Sequence, residues 1–141
     1  MNSRPIPHPT ASSYAIACVT AIVAIAGIAA IWGGLSLALR SACGWMALVA
    51  AVDAALLLRL AGFPAGRARA AIALVTTALS IALAIHVVGA INIGLGLATL
   101  PHEAVWRTAP QLALTWWRLN SGAWEILLAL AALPLAWKLG R

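Results

Sequence analysis

Four polar side chains interrupt otherwise apolar stretches of this 141-residue chain: Asp53, His86, Asn92 and Glu125. They are the first places to look for chemistry. An ionisable group held at the centre of a bilayer costs about 2.5–3.5 kcal/mol, so each must be paired, neutralised or used. Asp53 offers a carboxylate able to take up a proton or a cation. Thr76 and Thr77 are expected at similar depth as its hydrogen-bond partners, and the alternative is a buried carboxyl satisfied by those hydroxyls. His86 stands in a stripe of small residues at four-residue spacing, Ala78, Ala82, Ala90, Gly94 and Ala98. Such a stripe lets a neighbouring helix approach closely, so His86 is expected to face protein and to hydrogen-bond across a helix interface. It has no second histidine at its own depth to complete a haem site. Asn92 and Glu125 are expected at nearly the same depth, near the outer surface. They read either as a polar pair gluing two helices or as a lateral polar site.

A second constellation lies in the segment 102–120, HEAVWRTAPQLALTWWRLN. At 100° per residue, Arg107, Thr108, Gln111, Thr115 and Arg118 gather on one side, and a wide Trp-rich apolar face fills the rest. That pattern describes an amphipathic helix lying in a membrane interface. Arg107, Gln111 and Arg118 are the residues that would meet an anionic ligand, a lipid headgroup or a partner subunit, while the plainer reading is an anchor that pads the bundle. Pro110 removes a helical hydrogen bond, so two short pieces are expected, bent near Thr108–Pro110. Thr108 and Gln111 have the spacing of a capping box for the second piece.

These residues must be carried by membrane helices. Hydrophobic types make up 64% of the chain and charged types only 9%, against roughly 25% charged in a soluble domain. So few charges cannot clothe a soluble globule. After a polar tail over residues 1–13 containing three prolines, apolar blocks run over about 14–39, 42–61, 70–97 and 121–137. Each meets or nearly meets the roughly 20 residues that a bilayer requires, and backbone groups in lipid must bond internally. The expected fold is an all-α integral membrane protein: a four-transmembrane-helix bundle forming a single domain over 14–141, with the amphipathic interfacial segment of about 101–120 between helices 3 and 4.

Nine basic residues face three acidic ones, a net charge of +6. They form no run of the kind that binds nucleic acid; instead they flank the apolar blocks. Arg4, Arg59, Arg67, Arg69, Lys138 and Arg141 fall on one side, and Arg40, Arg107 and Arg118 on the other. Basic loops stay inside, so both termini are expected in the cytoplasm, and the Ala/Leu/Arg-rich composition points to a bacterial inner membrane. Cys18 and Cys43, the two cysteines, should lie near opposite faces, too far apart for a disulfide, as small buried packing residues. No metal-ligand spacing, phosphate loop, cofactor motif or nucleophile–base pair is visible. The reading that follows is a non-catalytic accessory or assembly subunit of a membrane complex, with the bilayer and another membrane protein, or further copies of itself, as partners. The alternatives are an oligomeric transporter or channel using an intramembrane carboxylate, and a protein or enzyme binding lipid headgroups at the outer surface.

Overall fold

A computed structural model describes residues 10–141, all helix and connection, with six helices among them. They are α1 (Ala11–Leu39), α2 (Met46–Leu60), α3 (Arg67–Gly96), α4 (Pro101–Arg107), α5 (Pro110–Asn120) and α6 (Ala123–Gly140). Three of them, α1, α3 and α6, are long and apolar enough to cross a membrane. At 1.5 Å per residue, α1 and α3, with 29 and 30 residues, measure about 44 and 45 Å. The 18 residues of α6 and the 15 of α2 measure about 27 and 22 Å.

Most of the expected tail, residues 1–9, lies outside the described residues. Its last residues, however, are helical. Thr10 sits in the extended N-cap position and its side chain accepts from the Ser13 backbone N–H, so α1 starts at Ala11. The second helix starts later than its apolar block because the chain is pinned first. Trp32, wholly buried, donates its indole N–H to the Ala42 carbonyl at 2.8 Å, and Arg40 and Cys43 both take positive φ to make the turn.

Small residues set the distances between helices. The buried face of α2 carries Ala47, Ala50, Ala51, Ala54 and Ala55 between Met46 and Leu58. Glycines fix the registers. A Cβ on Gly140 would lie 2.7 Å from Ala70 Cα, one on Gly44 2.5 Å from Glu125 Cβ, and one on Gly33 2.7 Å from Val87 Cγ1. The C-terminal end of α6 is therefore seated on the start of α3, and the N-terminal end of α6 lies beside the turn into α2. Arg69 locks the first of these joints, donating from Nε to the Gly140 carbonyl at 2.8 Å and from its guanidinium to the Phe63 carbonyl at 3.4 Å. A cation at the last carbonyls of α6 also opposes that helix's negative dipole end.

The segment between α3 and α6 bends where the sequence requires. Both pieces begin with proline at the first helical position, where its missing N–H costs nothing. The expected Thr108 cap is not made: Ala109 occupies the N-cap position and gives no side-chain bond, and Thr108 is extended. The two pieces do not extend beyond the end of α3 but pack along its outer part. A Cβ on Gly94 would collide with Ala104, and one on Gly89 would lie 2.5 Å from the Ala113 carbonyl oxygen.

Candidate functional site

The half of the bundle that carries the α4–α5 hairpin holds most of the polar side chains that the sequence singles out. His86 lies on α3 facing the hairpin of α4 and α5. Its Nε2 is 3.1 Å from the Val105 carbonyl oxygen. A carbonyl can only accept, so Nε2 carries a proton and donates it to this bond. The ring's Nδ1 is buried and has no partner among the described residues. The expected cross-helix bond of His86 is thus formed, to backbone rather than to a side chain. Beside it Ala82, Ile85, Pro110 and Leu114 line, with His86, an open pocket of about 260 Å³ between α3 and α5.

Asn92 and Glu125 do not meet. Asn92 donates from Nδ2 to the Val88 carbonyl of its own helix at 2.8 Å. The reason is register. With Gly140 seated on Ala70 in antiparallel helices, Glu125 comes level with Ile85, and Asn92 stands seven residues, about 10 Å, farther out. Glu125 is half-buried in the first turn of α6 against Gly44. Its charge reaches Cys43, whose thiol is pushed above its ordinary pKa first by burial and, to a smaller extent, by Glu125, against a hydrogen bond with Ser41. Cys18, expected in the packing, is exposed instead, because its side of α1 faces outward.

Asp53 is half-buried at the edge of the small-residue face of α2. Counting down from Gly44 beside Glu125 places it level with Pro134 on α6 and with Thr76–Thr77 on α3, as the sequence requires. No hydrogen bond joins them. Thr77 is fully buried and its hydroxyl lacks a partner among the described residues.

Arg107, Gln111 and Arg118 are all exposed, but they do not form one stripe. The bend at Thr108–Ala109 assigns Arg107 to α4, where it lies 4.0 Å from Glu103. Gln111 and Arg118 share one face of α5 with Thr115, which donates to the Gln111 carbonyl. The apolar side of α5 turns inward instead: Ala113 and Trp117 are buried, and Trp117 joins the main core with Trp32, Met46 and Val88. Trp106 projects outward at 88% exposure. Sequence reasoning missed the two contacts that hold the hairpin, Gly94–Ala104 and Gly89–Ala113, although the glycines five residues apart were a visible sign. It also missed Arg69, whose role depends on a carbonyl 71 residues away.

Among the described residues no three His, Cys, Asp or Glu side chains are grouped to hold a metal ion. Comparison with known proteins found no match. No family model fits the chain, and neither a curated protein nor a solved structure resembles it.

Proposed function

We propose that the chain is a four-span inner-membrane protein with both termini in the cytoplasm. It acts as a non-catalytic accessory or assembly subunit, meeting its partner through the α4–α5 hairpin. Support for the fourth span comes from α2 running beside α6 from the Gly44–Glu125 contact inward, so that both cover nearly the same thickness. Support for the interfacial placement comes from α3. With Arg67 at the inner boundary, a hydrocarbon core of about 30 Å ends 20 residues on, near Val87. The hairpin packs against Ala82 to Gly94, a stretch that brackets this level.

The observation that carries the function is the combination of rigid seating and an unspent outer face. The hairpin is clamped by two backbone-close contacts and the His86 bond, yet it presents Trp106, Arg107, Gln111 and Arg118 outward. Exposed Trp and Arg are the residue types that anchor protein interfaces. A photo-crosslinking residue at Trp106 in native membranes tests this, with the same probe at Leu127 as a lipid-facing control. One protein adduct from position 106 that disappears on reversing Arg107 and Arg118 to Glu is the expected result. Lipid adducts alone from both positions refute the subunit reading and favour headgroup binding.

One observation favours a second reading, an oligomeric transporter or channel. Half-buried Asp53 and the buried Thr77 hydroxyl share a level, and neither has a hydrogen-bond partner among the described residues. Solute flux in proteoliposomes that vanishes with Asp53→Asn would establish it, and flux unchanged by that substitution would end it.

A further inference from the structure

Between α1 and α3, on the half of the bundle away from the hairpin, a groove of about 360 Å³ opens sideways. Tyr14, Ala17, Cys18, Ala21 and Ile25 form one wall, and Ala71 to Leu79 the other. We propose that it holds one acyl chain of an anionic phospholipid, with the headgroup phosphate at Arg67. The proposal rests on the membrane reading above but concerns a different face and a different ligand.

Length is the first argument. Ile25 stands eleven positions beyond Tyr14, about 16 Å of helix, and Leu79 eight positions beyond Ala71, about 12 Å. One leaflet is half of a hydrocarbon core of about 30 Å, roughly 15 Å. The groove is as deep as a single leaflet and begins where that leaflet begins. Its chemistry fits too. Thr76 is the one wall residue besides Tyr14 and Cys18 with a polar side chain, and small Ala17, Ala21 and Ala71 leave room that larger residues would fill. The wall is also fixed, since Tyr14 packs edge-on against Phe63 with centroids 5.4 Å apart.

Charge selects the headgroup. Arg67 precedes Ala71 by four residues, hence lies on the same side of α3 one turn nearer the membrane surface. Side chains lean toward a helix's N-terminus, which carries its guanidinium to headgroup level. Arg69 is occupied by two carbonyls, whereas Arg67 is exposed and forms no ion pair among the described residues. Arg59, Lys138 and Arg141 lie at the same end of the bundle, and of the three acidic residues the nearest, Asp53, stands well inside α2. An anionic lipid meets an uncompensated positive rim there.

Cys18, exposed in the groove, reports occupancy directly. The full-length protein, purified in mild detergent, is titrated with phosphatidylglycerol or phosphatidylcholine. Bound lipid is counted by native mass spectrometry and Cys18 alkylation is timed in parallel. One phosphatidylglycerol should be retained in preference to phosphatidylcholine, slowing alkylation several-fold. Arg67→Gln should keep the slowing but lower the preference about fivefold, the worth of one basic residue near a charged surface. Ala71→Leu, at an exposed position that does not burden the core, should abolish the slowing. Equal retention of the two lipids, or protection that survives Ala71→Leu, overturns the proposal. So does a Cys18-linked dimer formed under mild oxidation in place of bound lipid, which would make a second copy the occupant. Recovery of the chain without detergent would instead defeat the membrane reading itself.

Discussion

Replacing Gly89 with alanine adds one methyl group where α3 packs directly on the backbone of α5. The added carbon would lie 2.5 Å from the Ala113 carbonyl oxygen, 2.7 Å from its Cα and 2.9 Å from its carbonyl carbon. All three are backbone atoms, so no side-chain rotation relieves the clash. Ordinary contact begins near 3.4 Å, and α5 must therefore retreat by about 0.9 Å. Overpacking of this kind costs about 1–3 kcal/mol, while alanine in mid-helix returns roughly 0.5–1 kcal/mol over glycine. The net loss is about 1–2 kcal/mol. Gly27→Ala is the control: nothing lies within 4 Å of its new carbon, so only the helix gain remains. In mixed micelles titrated with sodium dodecyl sulfate, Gly89→Ala should unfold earlier than wild type and Gly27→Ala later. By hydrogen exchange, the amides of Leu112 to Asn120 should open about 5–30 times more often in Gly89→Ala, the factor that 1–2 kcal/mol implies. Equal midpoints for the two variants, or unchanged exchange in α5, would refute the contact and with it the rigid seating of the hairpin.

Three further outcomes are expected. Arg69→Gln removes the charged donor shared by the Gly140 and Phe63 carbonyls and should cost about 1–3 kcal/mol, read as an earlier unfolding midpoint with proteolysis beginning at the C-terminus. Ala98 holds φ at 53°, a conformation costing an L-residue about 1–2 kcal/mol. Ala98→Gly should therefore stabilise by about 0.5–1 kcal/mol after the extra freedom of glycine when unfolded is set against it. Cys43, buried and with its thiol pKa raised, should stay unalkylated at pH 8 while Cys18 reacts, giving a single mass increment. Because the folded thiol holds its proton longer than the unfolded one, stability should be level below about pH 8.5 and fall above it. A Cys43→Ala variant should lose that alkaline decline.

Hydropathy alone located the long helices, because α1 and α3 are continuous apolar blocks and their ends are marked by Arg40, the Gly62–Gly66 turn and Pro101. Pro110 likewise announced the bend in the hairpin. The start of α2 was illegible: the segment from Ala42 to Trp45 carries no turn signal beyond Gly44, and what holds it out of the helix is the bond from Trp32 together with the Ser36 and Ser41 bonds and the positive φ of Cys43. The Asn92–Glu125 pairing failed for a related reason. Depth was counted from the ends of apolar blocks, whereas the true register is set by Gly140 on Ala70 and Gly44 on Glu125, contacts between residues distant in the chain. Asp53 comes level with Thr76–Thr77 by the same count, because its helix end and that of α3 are joined by a short turn, but the hydrogen bonds expected between them are not made.

The unequal helix lengths have a consequence for the surrounding lipid. On one side α1 and α3 stand about 44–45 Å tall, and on the other α2 and α6 reach only about 22–27 Å. A hydrocarbon core of about 30 Å matches neither wall. On the four-span reading proposed above, the hairpin covers the part of α3 that runs past the hydrocarbon core, while nothing extends α2 and α6, so the membrane would thin beside the two short helices. Elastic strain of that form is relieved when the thin flank meets another short-spanned protein. On that reading the flank where two helices stop early is the side expected to favour thinner membranes and neighbours of matching span.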